Sequence, residues 1–279
     1  MTYKIITDSS SDVCSIDEVS FCSVPLTIRT AEKEFVDDDT LNTGEMLEYL
    51  EKFKGKSSTA CPSIGQWSEA FGDAENIFCV TITSNLSGSY NSARNAANEY
   101  MDMHKDRKVH VVDSLSTGPE SALIIEKLRS LVKEKLPFDE IVEKINEFKS
   151  RTHLIFALES LHNLANNGRV SPLVAKVAGA LGIRVVGKAS NEGTLEITEK
   201  VRGAAKTVAQ IVENMKKTGF DGLKARIHHC ENAEVASKLS DAIKAAFPKA
   251  MVEIFPTRGL CSFYAERGGL LVGYSGSKK

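Results

Sequence analysis

The chain has 279 residues, with 35 Lys and Arg against 37 Asp and Glu. That near-neutral balance, with no basic cluster, argues against a nucleic-acid face, and no apolar run is long enough for an integral membrane segment. The amino-terminal residues lack the long apolar core of a signal peptide, so a cytoplasmic location is expected, and the length suits two domains or one large one.

Tyr3 to Ile6 reads as a short first strand that runs into Thr7-Asp8-Ser9-Ser10-Ser11-Asp12. A polar loop at the carboxyl end of a strand is where open α/β sheets bind ligands, though such a loop also serves as a plain turn or cap. Phe21 to Ile28 is a second extended stretch, and Pro25 marks an edge or a bend. The acidic run Asp37-Asp38-Asp39 matches no calcium loop and reads as a solvated turn. Thr43 is the expected cap of a helix over Gly44 to Phe53. Ser63 and Gln66 have capping-box spacing, which predicts a helix from Ile64 to Phe71, with Thr59 just ahead of it.

Ile77 to Ile82 is a β-branched apolar run that breaks into Thr83, Ser84, Asn85, Ser87, Gly88 and Ser89 and continues as a helix from Ser89 to Met103. A strand that ends in hydroxyls and enters a helix makes a polar cradle suited to a carboxylate or phosphate. Ser87 or Ser89 acting merely as a helix cap is the alternative reading. Val109 to Asp113 is a third strand ending in hydroxyls, at Ser114, Ser116 and Thr117. Helical patterns follow over Pro119 to Lys135 and Asp139 to Lys149. Strands alternating with helices predict a parallel sheet covered on both faces.

The rhythm changes near residue 150. Thr152 to Leu158 reads as a strand and Leu161 to Ala165 as a short helix. Leu173 to Leu181 is a small-residue helix that either lines an apolar tunnel or packs closely against its neighbours. Ile183 to Lys188 and Leu195 to Val201 form a hairpin through Ser190 to Thr194, and Arg202 opens a helix to about Lys217. Ala225 to His229, Val252 to Phe255 and Leu270 to Tyr274 read as strands, with a helix over Ala233 to Phe247. The expected fold is therefore α/β in two domains: a parallel-sheet domain over residues 1–150 and a smaller mixed-sheet domain over 151–279.

Familiar catalytic motifs are missing. No Gly-x-Gly-x-x-Gly or Gly-x-Ser-x-Gly is present, and Ala189 spoils the near match of Gly182 to Lys188 to a phosphate-binding loop. Adjacent strand residues point to opposite faces, so His228, His229 and Cys230 do not read as one metal site. The cysteines Cys14, Cys22, Cys61, Cys79, Cys230 and Cys261 show no Cys-x-x-Cys spacing and read as free thiols.

Several segments, taken in order, resemble the DegV family: Thr7 to Asp12, Ser58-Thr59-Ala60-Cys61-Pro62-Ser63, Leu86-Ser87-Gly88-Ser89-Tyr90-Asn91-Ser92-Ala93, Asp113-Ser114, Asn167-Gly168-Arg169-Val170-Ser171 and Val201-Arg202-Gly203. The resemblance implies two α/β domains with a lipid cleft between them. It implies a long-chain fatty acid as ligand, no further cofactor and no metal, and a separate fatty acid kinase as partner. It places Thr59 and Ser87 on the carboxylate and Arg202 near the head group. Ser89 completes the carboxylate-binding set, and Ser9, Ser58, Ser114 and Glu266 are head-group neighbours by position. Many members end in a His-x-Gly-Pro-Gly segment; the matching region here, Tyr264 to Gly269, has no histidine, and Tyr264 and Glu266 stand in its place.

A chain of about sixteen carbons gains roughly 11 kcal/mol gross at about 0.8 kcal/mol per buried methylene. The tail then supplies affinity, and neutral donors need only keep the carboxylate from being buried unpaired. The expectation is a carrier. The rival class is a hydrolase or transferase acting on a small anion, with Ser87 or Thr59 as nucleophile and Asp8 or Asp113 and a histidine as helpers. A protein binding a polar ligand in the same cleft is a third reading.

Overall fold

A computed structural model describes residues 2–172 and 182–279. The small-residue helix expected over 173–181 lies outside the described residues. Among these residues no helix is long and apolar enough to cross a membrane.

The chain opens with β1 (Tyr3–Asp8) and β2 (Ser20–Val24). At Pro25 it leaves that sheet for β3 (Thr27–Arg29) and β4 (Glu34–Val36), the bend expected of the proline. Helix α1 (Thr43–Lys52) is capped by Asn42, whose side chain accepts the Glu45 N–H, and not by Thr43 as expected. The strand β5 (Ser58–Ala60) follows, then α2 (Ile64–Phe71) behind the Ser63–Gln66 capping box, which forms as its spacing predicts. Next come β6 (Asn76–Thr81), α3 (Ser89–Met103), β7 (Lys108–Asp113), α4 (Gly118–Lys133) and α5 (Phe138–Lys149).

β2, β1, β6 and β7 form a four-stranded sheet in that order, all parallel. Alternation along β6 explains its cover. Ile77 and Cys79 pack with Trp67, Phe71, Ala93 and Tyr100 of α2 and α3. Phe78 and Val80 pack with Ile124, Leu128, Ile141 and Ile145 of α4 and α5. Both faces are thus closed, and each fully buried Ile, Leu, Val or Phe contributes about 1.5–3 kcal/mol relative to exposure. β4, β3 and β5 form a separate antiparallel sheet. At three residues each, these strands are too short to show a period in the sequence.

The carboxyl-terminal part contains β8 (Thr152–Leu158), α6 (His162–Asn166), β9 (Ile183–Ala189), β10 (Leu195–Arg202) and α7 (Ala204–Lys217). It continues with β11 (Lys224–His229), α8 (Ala233–Ala246), β12 (Met251–Pro256), α9 (Gly259–Ala265) and β13 (Leu270–Ser275). Its sheet has six strands in the order β10-β9-β8-β13-β11-β12, antiparallel except for the β11–β12 pair. This shorter segment thus carries the wider sheet. Arg202 ends β10 instead of opening a helix. Gly203, at φ +83°, makes the turn into α7, a conformation glycine adopts without strain.

One face of the mixed sheet packs on α7 and α8, with Ile155, Val186, Ile227 and Val272 against Ile211, Met215 and Leu239. The opposite face, with Leu154, Phe156, Leu158 and Leu271, looks toward α9 and the small antiparallel sheet. Helix α4 joins the two sheets: its first turn passes so close to β13 that a Cβ on Gly273 would lie 2.5 Å from the Glu120 nitrogen. The acidic turn is solvated only in part: Asp39 is exposed, Asp38 half-buried and Asp37 buried. Asp37 is 1% exposed and accepts the Gly259 and Leu260 N–H groups, each at 2.8 Å. Burial pushes its carboxyl up to about 6, against the pull of those two bonds.

Candidate functional site

The apolar face of the mixed sheet and the strand ends of the parallel sheet enclose a cavity. Leu154, Phe156 and Leu158 of β8 make one wall, because alternate strand residues share a face. Leu271, Leu195 and Leu164 extend it, and Leu26, Ile82, Leu86 and Leu260 close the other side.

Its polar groups are few: Thr59, Ser87, Thr117, Arg169 and Tyr264. Thr59 Oγ1 and Tyr264 Oη lie 2.8 Å apart. Burial pushes the Tyr264 phenol up, and the Thr59 hydroxyl and the Arg169 charge draw it back in part, so it remains a neutral donor at neutral pH. The Arg169 guanidinium stands 6.0 Å from the Tyr264 ring centroid, and its Nε donates to the Leu86 carbonyl at 3.1 Å. Ser87 Oγ accepts the Ser89 N–H at 3.3 Å, an arrangement that keeps its own proton for a ligand. Thr117 Oγ1 donates to the Ser10 carbonyl at 3.1 Å. No Asp or Glu lines the cavity among the described residues. An apolar chamber with hydroxyl donors and, among the described residues, one cation suits an amphiphile with an anionic head.

The structure brings Thr59 and Ser87 to this cavity. The other expected residues sit elsewhere. Ser89 is fully buried and donates to Asp8 Oδ2 at 2.6 Å. A carboxylate buried without a cation needs such donors. Ser9 Oγ accepts the Leu26 N–H, and Ser114 Oγ donates to the Ser116 carbonyl. Ser58 is exposed on β5, where it pairs with Arg29, and Arg202 is exposed at the end of β10. Glu266, at φ +54°, accepts the Asn163 N–H at 3.1 Å and so ties α9 to α6. Sequence reasoning assigned no role to Arg169, although its Asn-Gly-Arg loop stood out. It named Tyr264 only as standing where a histidine was expected.

The nucleophile reading finds little support. Asp8 and Asp113 bond other partners: Asp8 accepts from Ser10, Ser89 and Ile82, and Asp113 Oδ1 accepts the Ser84 and Leu115 N–H groups. No histidine is among the described residues of the lining. His228, which is 1% exposed, hydrogen-bonds Asp12 at 2.7 Å.

A family model described as "Uncharacterised protein, DegV family" matches residues 2–275. A DegV domain-containing protein of Streptococcus pneumoniae is 46% identical over 278 residues, 98% of this chain and 99% of the relative. The structure is similar to that of a DegV family protein from Eubacterium eligens loaded with heptadecanoic acid (44% identity, TM-score 0.97, 99% of this chain and 100% of the other). It is equally similar to the Streptococcus pneumoniae fatty acid kinase (Fak) B3 protein loaded with linoleic acid (45% identity, TM-score 0.97, with the same coverage). With the match running over nearly its whole length, the chain belongs to the DegV family.

Proposed function

We propose that this protein carries a long-chain fatty acid in the cavity and presents it to a separate fatty acid kinase in the cytoplasm. Residues 1–150 and 151–279 act as two domains that close on the acyl chain. The leucine and phenylalanine walls hold the tail, which supplies most of the affinity. Thr59 and Ser87 donate hydroxyl hydrogens to the carboxylate, Tyr264 takes the place of the absent histidine, and Arg169 supplies the nearby positive charge. Neutral donors prevent an unpaired buried charge without neutralising the carboxylate, so it stays nucleophilic when a partner brings ATP.

The observation that carries this reading is the composition of the cavity: apolar walls with Thr59, Ser87, Thr117, Tyr264 and Arg169 as polar groups and no acid among the described lining residues. The ligands of the two similar structures, heptadecanoic and linoleic acids, have that chemistry. The test is the double variant Thr59→Ala, Ser87→Ala, which removes two hydrogen bonds to a charged group and should weaken fatty-acid binding by about 100-fold. The melting temperature of the ligand-free protein should hardly move. Unchanged affinity would remove these hydroxyls from the head-group site.

A further inference from the structure

One buried carboxylate outside the cavity secures the loop that delivers Ser87 to it. Asp8 is fully buried at the end of β1, and its Oδ2 accepts two hydrogen bonds, from the Ile82 N–H at 3.0 Å and from the Ser89 hydroxyl at 2.6 Å. These two residues bracket the loop 83–88. Oδ1 takes the Ser10 hydroxyl at 2.5 Å. Within the loop, the Leu86 and Ser87 N–H groups both donate to the Thr83 carbonyl, which shapes the turn. The start of the loop is tied a second time, by the Thr83 N–H to the Ser116 carbonyl. The far end adjoins Ser87, and there the Ser89 hydroxyl reaches Asp8 while the Ser89 N–H donates to Ser87 Oγ. Ile82, at the other end, is itself part of the cavity wall.

We propose that Asp8 is a positioning residue for head-group recognition: by holding Ile82 and Ser89 on a single oxygen it aims the Ser87 hydroxyl at the ligand carboxylate. This rests on the fatty-acid reading of the cavity. Ser89 then acts one step behind the ligand, as the link between Asp8 and Ser87. A displacement of a few tenths of an ångström at Ser87 is enough to lengthen a bond to a carboxylate, whereas the apolar wall on β8 and β13 does not depend on this loop.

The test separates head-group aim from general stability. Hexadecanoic acid and hexadecan-1-ol share a tail and differ at the head. Ser89→Ala should lower affinity for the acid about tenfold, the loss of one well-placed bond to a charged group, and leave the alcohol nearly unchanged. Asp8→Asn retains an oxygen that can accept both donors and should recover most of what Asp8→Ala loses. Amide hydrogen exchange of residues 83–88 should be faster in ligand-free Ser89→Ala than in the parent. Equal losses for acid and alcohol, or unchanged exchange in that loop, would overturn the proposal. A parent protein that binds neither ligand would overturn the carrier reading instead, and the exchange comparison would still decide whether Asp8 and Ser89 hold the loop.

Discussion

The two sheets face the cavity in different ways. The parallel sheet presents its strand ends: β6 and β7 stop at Thr81 and Asp113, and the loops beyond them carry Ile82, Ser87 and Thr117 to the site. The mixed sheet presents a face, through Leu154, Phe156 and Leu158 of β8 and Leu271 of β13. A strand end leaves backbone groups unpaired and feeds a helix start, so it favours polar side chains. A sheet face has its backbone paired within the plane and offers only alternate side chains, so it can be wholly apolar. On the proposed reading, the strand ends contribute the Ser87 hydroxyl to the head-group side, where Thr59, Tyr264 and Arg169 join it from other elements, and the sheet face contributes apolar wall to the tail.

The division can be broken from the apolar side. Leu154 is 2% exposed on the cavity face of β8. Leu154→Asp places a carboxylate against the tail, where an unpaired charge costs several kcal/mol, and should reduce binding of acid and alcohol alike by more than about 100-fold. A loss confined to the acid would show that the wall also reads the head group. Ligand titration by tryptophan-independent fluorescence displacement, beside a melting curve of the free protein, checks this.

A second test sharpens the comparison where the two regions meet. Asp37 lies beyond β4 and holds the first N–H groups of α9, the helix that carries Tyr264. Its folded-state value of about 6 lies above the ordinary 3.8. Between about pH 4 and 6 the folded protein therefore keeps a proton that the unfolded chain has released. The Asp37 contribution to stability falls as pH rises through that window, by up to about 3 kcal/mol. Denaturant titrations from pH 4 to 7 should show the stability difference between the parent and Asp37→Asn shrinking as pH rises. A constant difference would mean that Asp37 stays ionised throughout.

The sequence made the repeating parts of the fold legible and the long-range parts only partly so. Helix α3 begins and ends at Ser89 and Met103 as its pattern predicts, and β8 spans Thr152 to Leu158 as expected. Both depend on local periodicity. Hydroxyls gathered near strand ends and helix starts mark a polar cradle in the sequence, and the family resemblance is what puts Thr59 and Ser87 on a carboxylate. Their surroundings did not stand out. Thr59 meets Tyr264 across 205 residues, and Asp37 meets Gly259 across 222. No spacing rule reaches that far. Ser89 was misjudged for the same reason: its hydroxyl turns to Asp8, 81 residues earlier. The acidic turn misled because three adjacent carboxylates suggest solvent, while the first of them is buried as a helix cap.

The most direct measurement is mass spectrometry of the purified protein, in its native state and again after solvent extraction. One bound fatty acid per chain, released by the solvent and identified by its mass, is the expected result. A protein that carries no lipid and takes up none from added fatty acids would contradict the carrier reading.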